Sequence, residues 1–469
     1  MIVVLIQASI AYLLLPVFIF FIGWLKTVFS VPLCLGLGVV YTSIFRRIEV
    51  FKAKVSIPHR IYIILGIIAF VWTLLSGAGH RGFFDGDYYK HNAILSDLIA
   101  YSWPVKYHVA GAQTIMPLVY YIAYYLPAAA VGLVGGWKMA NSVLFLWTAG
   151  GVLLTFLWIA VLAQKKVVWA VFLFILFSGL DGIGRLILYK QTGMNPDWEW
   201  WAGQWQYSGV TTLLFYVPQH ALAGWIAASM LLFQHEQKET IPGLVVAIAA
   251  TVLWSPFVFV GLIPYVCYLI IRKISTYNWI DFVGGGIIVL ITGLYITSSL
   301  FGKSGAGGVF LWQHVDVVHS YTLVRLLIFY VLEFGIYAFF IKKDPFSVLT
   351  IVLLILIPWY RLGLLNDFVM RVSIPALFVL FIYWIRAVMS AKARVQWLMI
   401  GIICIACLYP LVLLRNGIVH FSFGPPRYHL STLDTPPVRM QYLGNGNSIF
   451  FRFFTTTRSP IMGVMQLQN

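Results

Sequence analysis

Two aspartates one residue apart, Asp85 and Asp87, open a run in which polar groups crowd together: Asp85-Gly86-Asp87-Tyr88-Tyr89-Lys90-His91-Asn92. A carboxylate placed beside a hydroxyl can take its proton as the oxygen attacks. A neighbouring histidine and aromatic rings, at an interface of reduced dielectric, can tune that carboxyl. Apolar residues at 94, 95, 98 and 99 recur with helical spacing, so the acids are expected to precede an amphipathic helix lying on an apolar surface. The plainer alternative makes Asp87 a helix cap interacting with the positive dipole end and Asp85 a solvated loop acid. Tyr88, Tyr89, Tyr101, Trp103 and Tyr107 in this loop, and Trp198, Trp200, Trp201 and Trp205 in a second, offer flat faces for sugar rings. As an alternative they form an interfacial aromatic belt.

Other polar motifs carry less. His235-Glu236 and Glu239 lack the second histidine of a His-Glu-x-x-His zinc motif. His314 and His319 are five apart in a loop, and Gly302 to Gly308 is glycine-rich without a Walker pattern. Cys34, Cys267, Cys404 and Cys407 all lie in apolar runs, which suggests neither a disulfide framework nor a metal site.

The elements that must position these groups are set by composition. Of 469 residues, 61% are hydrophobic and 10% charged, against roughly 45–50% and about 25% in soluble domains. The apolar runs approach the ~20 residues that a bilayer-crossing helix needs, and they lack the alternation of outer-membrane strands. The expected fold is therefore an all-α polytopic membrane protein, with thirteen spans at about 2–24, 28–45, 61–78, 139–163, 167–182, 211–233, 242–254, 257–271, 279–300, 321–341, 346–359, 372–390 and 396–414. The first run has no basic n-region or cleavage site and reads as a retained helix. Ile115 to Gly136 is placed outside the membrane as juxtamembrane helices, and Trp254-Ser255-Pro256 is expected to break a long helix.

The formal charge of +16 sits mostly in short loops: Arg46, Arg47, Lys52, Lys54 and Arg60; Lys165 and Lys166; Arg272 and Lys273; Lys342 and Lys343; Arg386, Lys392 and Arg394. That asymmetry reads as a topology signal and as contact with membrane lipids rather than nucleic-acid binding. It puts the N-terminus in the cytoplasm of an inner or plasma-membrane protein. Asp85, Asp87, Asp97, Asp181, Asp197, Glu199, Asp316, Asp367 and Asp434 then face outward, and Glu333 lies within a span. Ionisable groups near the midplane on broken, repeated helices would suit a transporter; no such repeat is evident.

Asp85-Gly86-Asp87, Tyr88-Tyr89, Trp103-Pro104, Pro117-Leu118-Val119-Tyr120-Tyr121, the basic pair Lys165-Lys166 and Arg371-Val372-Ser373-Ile374-Pro375 together resemble the GT-C superfamily of lipid-dependent glycosyltransferases, which includes aminoarabinose transferases and protein O-mannosyltransferases. The likeness covers roughly residues 61–390. Family acids are often adjacent, whereas a glycine separates these; the family's lysine before the hairpin proline is replaced by Trp254-Ser255; and two spans precede the usual first. The resemblance implies a GT-C-like bundle with outer-face juxtamembrane helices and a polyprenyl-phosphate sugar donor, with a glycan or glycolipid as acceptor. It implies Asp87 or Asp85 as base, with Arg361 and Arg371, flanking Asp367, as phosphate holders; Arg185 and Lys303 are lesser candidates. Tyr89 and His91 would contact substrate. Asp181 would hold sugar hydroxyls or a divalent cation, no cofactor being otherwise required; its plainer reading is a turn residue between glycines. Residues 1–60 would add two helices and a basic loop, 61–414 would form the catalytic bundle with its outer loop at 79–138, and 415–469 a small outer tail. The rival expectations are a polysaccharide polymerase or ligase and a lipid-linked sugar flippase.

Overall fold

A computed structural model describes residues 2–466, apart from 52–56, 85, 111–114, 193–196, 238, 301–306, 314–319, 364, 425–426, 431–440 and 457–462. Asp85, Lys303, His314, His319, Asp316 and Asp434 lie outside the described residues, as does most of the run 302–308.

The chain is mainly helical. Helices α1 (Ile2–Trp24), α2 (Thr27–Glu49) and α3 (His59–Leu75) lead into the strands β1 (Ser76–Gly77) and β2 (Arg81–Gly82), then α4 (Gly86–Ala100), β3 (Lys106–Ala110) and β4 (Ile115–Pro117). The middle of the chain forms α5 (Leu126–Ala163), α6 (Val167–Ile175), α7 (Asp181–Thr192), α8 (Val210–Tyr216), α9 (Pro218–Glu236), α10 (Leu244–Trp254), α11 (Pro256–Lys273) and α12 (Trp279–Ile296). There follow β5 (Val309–Phe310), α13 (Ser320–Tyr330), α14 (Ile336–Phe340), α15 (Pro345–Leu356), β6 (Tyr360–Arg361), α16 (Asp367–Val372), α17 (Ile374–Ser390), α18 (Ala393–Ala406), α19 (Leu408–Val419), β7 (Ser422–Phe423) and β8 (Gly463–Gln466).

Among the described residues six helices are long and apolar enough to cross a membrane: Ile2–Trp24, Thr27–Glu49, Leu126–Ala163, Pro256–Thr276, Trp279–Ile296 and Leu323–Phe340. The bent pair α18 and α19, at 48°, makes a seventh if it is one span. The remaining stretches drawn as spans are shorter or interrupted helices. Proline and loop breaks divide them, as at Val217-Pro218 and at residues 176–180.

The core is built around α9, where every residue from Pro218 to Gln234 is buried. A helix apolar all round belongs inside a bundle, and α5, α10, α11 and α17 surround it. Close approach relies on missing side chains, as between membrane helices generally. A Cβ on Gly224 would sit 2.6 Å from Ile374, and one on Gly261 2.2 Å from the Val372 carbonyl oxygen. The second of these seats α11 against the α16–α17 junction.

The break at 254–256 is as expected: Ser255 is extended and its hydroxyl accepts the Val258 amide at 3.1 Å, capping α11. The expected juxtamembrane helices over Ile115–Gly136 are a correction. Residues 115–117 form a strand, 118–125 run irregularly, and helix starts only at Leu126, with a break at Gly136 (φ 71°). The Tyr295 hydroxyl on α12 holds this stretch instead, accepting the Tyr120 amide at 3.1 Å and lying 3.3 Å from the carbonyls of Leu118 and Tyr120. Three small sheets, β1-β2-β7, β4-β3-β8 and β5-β6, add strands that an all-α reading does not include.

The bundle has two chemically distinct ends. At one, Arg47 pairs with Asp281, Arg386 with Glu236, and the Asp344 side chain caps α15 beside His235 and Tyr383. At the other lie α4, the starts of α9 and α11, and α16. The C-terminal tail closes over this second end. Leu443 bridges to Leu118, Gly444 to Ser299 and Thr455 to Leu25. Buried Asp97 on α4 accepts from the Tyr107 hydroxyl at 2.6 Å and the Leu430 amide at 3.1 Å, and lies 2.7 Å from His429 Nδ1. A segment of about fifty residues buries little apolar surface of its own, which favours its packing onto α4 and the stretch after it.

Candidate functional site

Helix α4 buries Ile94, Leu95 and Leu98, as its spacing requires, and carries Asp87, Lys90 and His91 on its first two turns. Asp87 and Lys90, three residues apart, share a helix face and pair at 3.0 Å. The Asp87 side chain keeps 41% of its surface exposed and Lys90 only 11%, so the carboxylate is the accessible partner. Burial pushes the Asp87 carboxyl upward, but Lys90, then His91 and Arg371, hold it below its ordinary range. Burial lowers the Lys90 ammonium, and Asp87 opposes that.

His91 is fixed by two bonds. Its Nε2 lies 2.8 Å from the Tyr216 carbonyl oxygen, to which it can only donate, so Nδ1 accepts from the Tyr125 hydroxyl. This neutral tautomer fits a ring whose pKa is pushed down to about 4, by burial first and then by Lys90.

Facing α4 is Arg371. Asn366, at φ 57°, starts α16 in the left-handed region that asparagine tolerates better than most residues. It is anchored by its Nδ2, which donates to the Gln204 carbonyl at 2.7 Å. Asp367 then pairs with Arg371 one turn later. Arg371 Nε donates to His220 Nε2 at 2.9 Å, which leaves His220 Nδ1 to donate to the Ser255 hydroxyl at 2.6 Å. This relay ties α16, α9 and the cap of α11 together and holds the guanidinium in one orientation.

Tyr120, Tyr121 and Tyr442 wall the site. Tyr120 and Tyr121 are 4.5 Å apart between ring centres, Tyr442 is 5.0 Å from Tyr120, and Tyr121 is 5.1 Å from His220. Arg371 and Asp87 both act electrostatically on Tyr120 and on Tyr442, so the acid and the cation lie near the same two rings. The arrangement is two carboxylate–cation pairs, Asp87–Lys90 and Asp367–Arg371, beside a cluster of tyrosines. A carboxylate that can accept a proton thus lies near cations that an anion could recruit from their partners.

Of the residues picked from sequence, Asp87, His91, Asp367 and Arg371 meet here. Tyr89 turns away, its ring edge-on to Tyr428 at 4.9 Å. Arg361 sits on β6 opposite Val309, beside a different cavity. Asp181 joins two buried acids instead. The Ser178 hydroxyl donates to it at 2.8 Å, Trp201 Nε1 donates to Glu333 at 2.9 Å, and Glu199 accepts from the Gly209 amide at 2.9 Å and Gln206 at 2.8 Å. Glu333 stands in a π-helical turn of the α13–α14 span. Among the described residues no three His, Cys, Asp or Glu side chains are arranged to hold a metal ion. Arg185 lies over the Trp198 ring at 5.2 Å, away from Asp87.

Sequence reasoning missed Lys90, His220 and Tyr442. Lys90 was detectable from its spacing to Asp87, and His220 as an ionisable group in an apolar helix just after a proline; Tyr442 has no local signal. No family model matches the chain, and neither a curated protein nor a solved structure is detectably similar to it.

Proposed function

We propose that the chain is an integral-membrane glycosyltransferase of GT-C type that moves a sugar from a polyprenyl-phosphate donor to a hydroxyl of a glycan or glycolipid acceptor. The observation that carries this reading is the accessible Asp87 carboxylate paired with buried Lys90 at 3.0 Å, with the Arg371 guanidinium near enough to act on it electrostatically. Such a reaction breaks the bond from the sugar's anomeric carbon to the phosphate oxygen and forms one to the acceptor oxygen. The acceptor's proton passes to Asp87, and the electron pair leaves with the polyprenyl phosphate. Arg371, oriented by His220 and Asp367, and Lys90 would stabilise that charge in a site of low dielectric. Without donor, Lys90 is occupied by Asp87. An arriving phosphate competes for the ammonium, and loss of that pair raises the carboxyl's proton affinity, so donor binding prepares the base. In this reading all thirteen apolar stretches lie in an inner or plasma membrane, the basic end is cytoplasmic, and Asp87 works at the opposite face.

Binding of polyprenyl phosphate, the product common to any such donor, tests the reading without knowledge of the sugar. Purified protein should bind polyprenyl phosphate and discriminate against the uncharged polyprenol. Arg371→Ala should weaken binding at least tenfold, whereas Asp87→Asn should not weaken it. Equal binding of the phosphate and the alcohol would refute the assignment.

A further inference from the structure

A cavity opens on the same end of the bundle as Arg371, and the site just described makes no use of it. It has a volume of about 100 Å³ and is lined by Gln204, Trp205, Phe310, Trp359 and Arg361 together with aliphatic groups. Pairing of β5 with β6 brings Phe310 opposite Tyr360 and Val309 opposite Arg361, so one short ribbon presents aromatic rings and a guanidinium side by side. Trp205 is a fixed wall, fully buried with its Nε1 donating to the Pro358 carbonyl at 3.0 Å. Phe310 is exposed and stacks on Trp312 with ring centres 4.5 Å apart. The Arg361 guanidinium is exposed and makes no ion pair with a described residue.

Rings of this kind accept the apolar face of a sugar, and a forked guanidinium accepts a carboxylate or phosphate. A cavity for a lipid chain would need neither Arg361 nor the Gln204 amide. Packed groups connect the cavity to the Asp87–Arg371 site. Gln204 anchors Asn366, which starts α16, and rings run from Tyr360 to Phe368 at 4.8 Å, then to Phe257 at 6.4 Å and Tyr121 at 6.1 Å.

We propose that this cavity binds the acceptor, a sugar carrying an acidic group, with its ring against Phe310 and Trp359 and its acid on Arg361. The role as acceptor subsite rests on the glycosyltransferase reading; the binding of an acidic sugar does not. Arg361 thereby serves the acceptor rather than the donor phosphate.

Saturation-transfer NMR on the purified full-length protein, with methyl glucuronide, glucose 6-phosphate and methyl glucoside as probes, tests this. At least one acidic sugar should receive saturation and the neutral glucoside should not; which of the two responds identifies the acid. Arg361→Ala should abolish the effect and Phe310→Ala should weaken it at least tenfold, while both variants bind polyprenyl phosphate like the wild type. Equal response from the neutral sugar, no response from any sugar, an unchanged Arg361→Ala, or loss of polyprenyl-phosphate binding in that variant would each overturn the proposal. If Arg371→Ala leaves polyprenyl-phosphate binding intact, the glycosyltransferase reading fails, and the acidic-sugar result is still decided by Arg361→Ala.

Discussion

His91 makes a prediction that follows from its burial and its two hydrogen bonds. Its ring is locked neutral between the Tyr216 carbonyl and the Tyr125 hydroxyl, with a folded pKa of about 4, against about 6.5 in an unfolded chain. As pH falls below about 6.5 the unfolded state takes up a proton that the folded state refuses, so stability present at neutral pH is lost on acidification. At pH 4.5 the loss works out at about 2.5 kcal/mol, taking 1.36 kcal/mol per unit. An unfolding entropy of about 2.1 cal/mol/K per residue gives roughly 1 kcal/mol/K over the whole chain, so the shift in melting temperature is about 2–3 °C. Glutamine can donate to Tyr216 and accept from Tyr125 without titrating. Thermal melts of wild type and His91→Gln in detergent at pH 7 and pH 4.5 should therefore diverge, with the wild type losing about 2–3 °C more than the variant. Parallel losses in the two proteins would refute the assignment of a neutral, doubly bonded His91.

Three further outcomes follow. Asp87→Asn should reduce sugar transfer by about 10²–10⁴-fold while the variant still folds and binds polyprenyl phosphate, transfer being measured as glycan product from a polyprenyl-phosphate sugar; full transfer would exclude Asp87 as base. Arg371→Lys keeps the charge but loses the Nε donor to His220, so polyprenyl-phosphate affinity should fall about tenfold, and titration calorimetry showing wild-type affinity would mean that the relay does not orient the cation. Gly261→Val places a side chain against the Val372 carbonyl and should cost about 1–3 kcal/mol by overpacking while weakening polyprenyl-phosphate binding. A variant that melts and binds like the wild type would show that this close approach does not set the position of α16.

Much of the secondary structure was readable because it depends on local pattern. The 94, 95, 98, 99 spacing predicts α4, and Ser255-Pro256 predicts the break between α10 and α11; both are there. The stretch 115–125 was expected as juxtamembrane helix because apolar composition does not distinguish such a helix from a buried irregular segment. The Leu118 and Tyr120 carbonyls and the Tyr120 amide bond the Tyr295 hydroxyl, and the Val119 amide bonds the Tyr442 carbonyl, partners 170 and more residues away that no window of neighbours reveals. Arg361 and Arg371 looked equivalent, both flanking Asp367. The short helix α16 separates them, turning one toward His220 and leaving the other on β6 beside an aromatic cavity. Asp181 likewise carries no mark of Glu199 and Glu333, which reach it from a later loop and a later span.

By itself the sequence determined that this chain is a bundle of apolar helices with much of its positive charge in short loops, and that Asp87 lies in the first turn of a helix. Those properties are local: periodicity, prolines, and charges counted loop by loop. Only the tertiary structure decided which groups meet, bringing Asp87, Lys90, His220, Arg371 and Tyr442 together from three helices and the tail. The physical reason is that helix packing, through contacts such as Gly261 against Val372, sets side-chain convergence across hundreds of residues, and no short-range pattern encodes it.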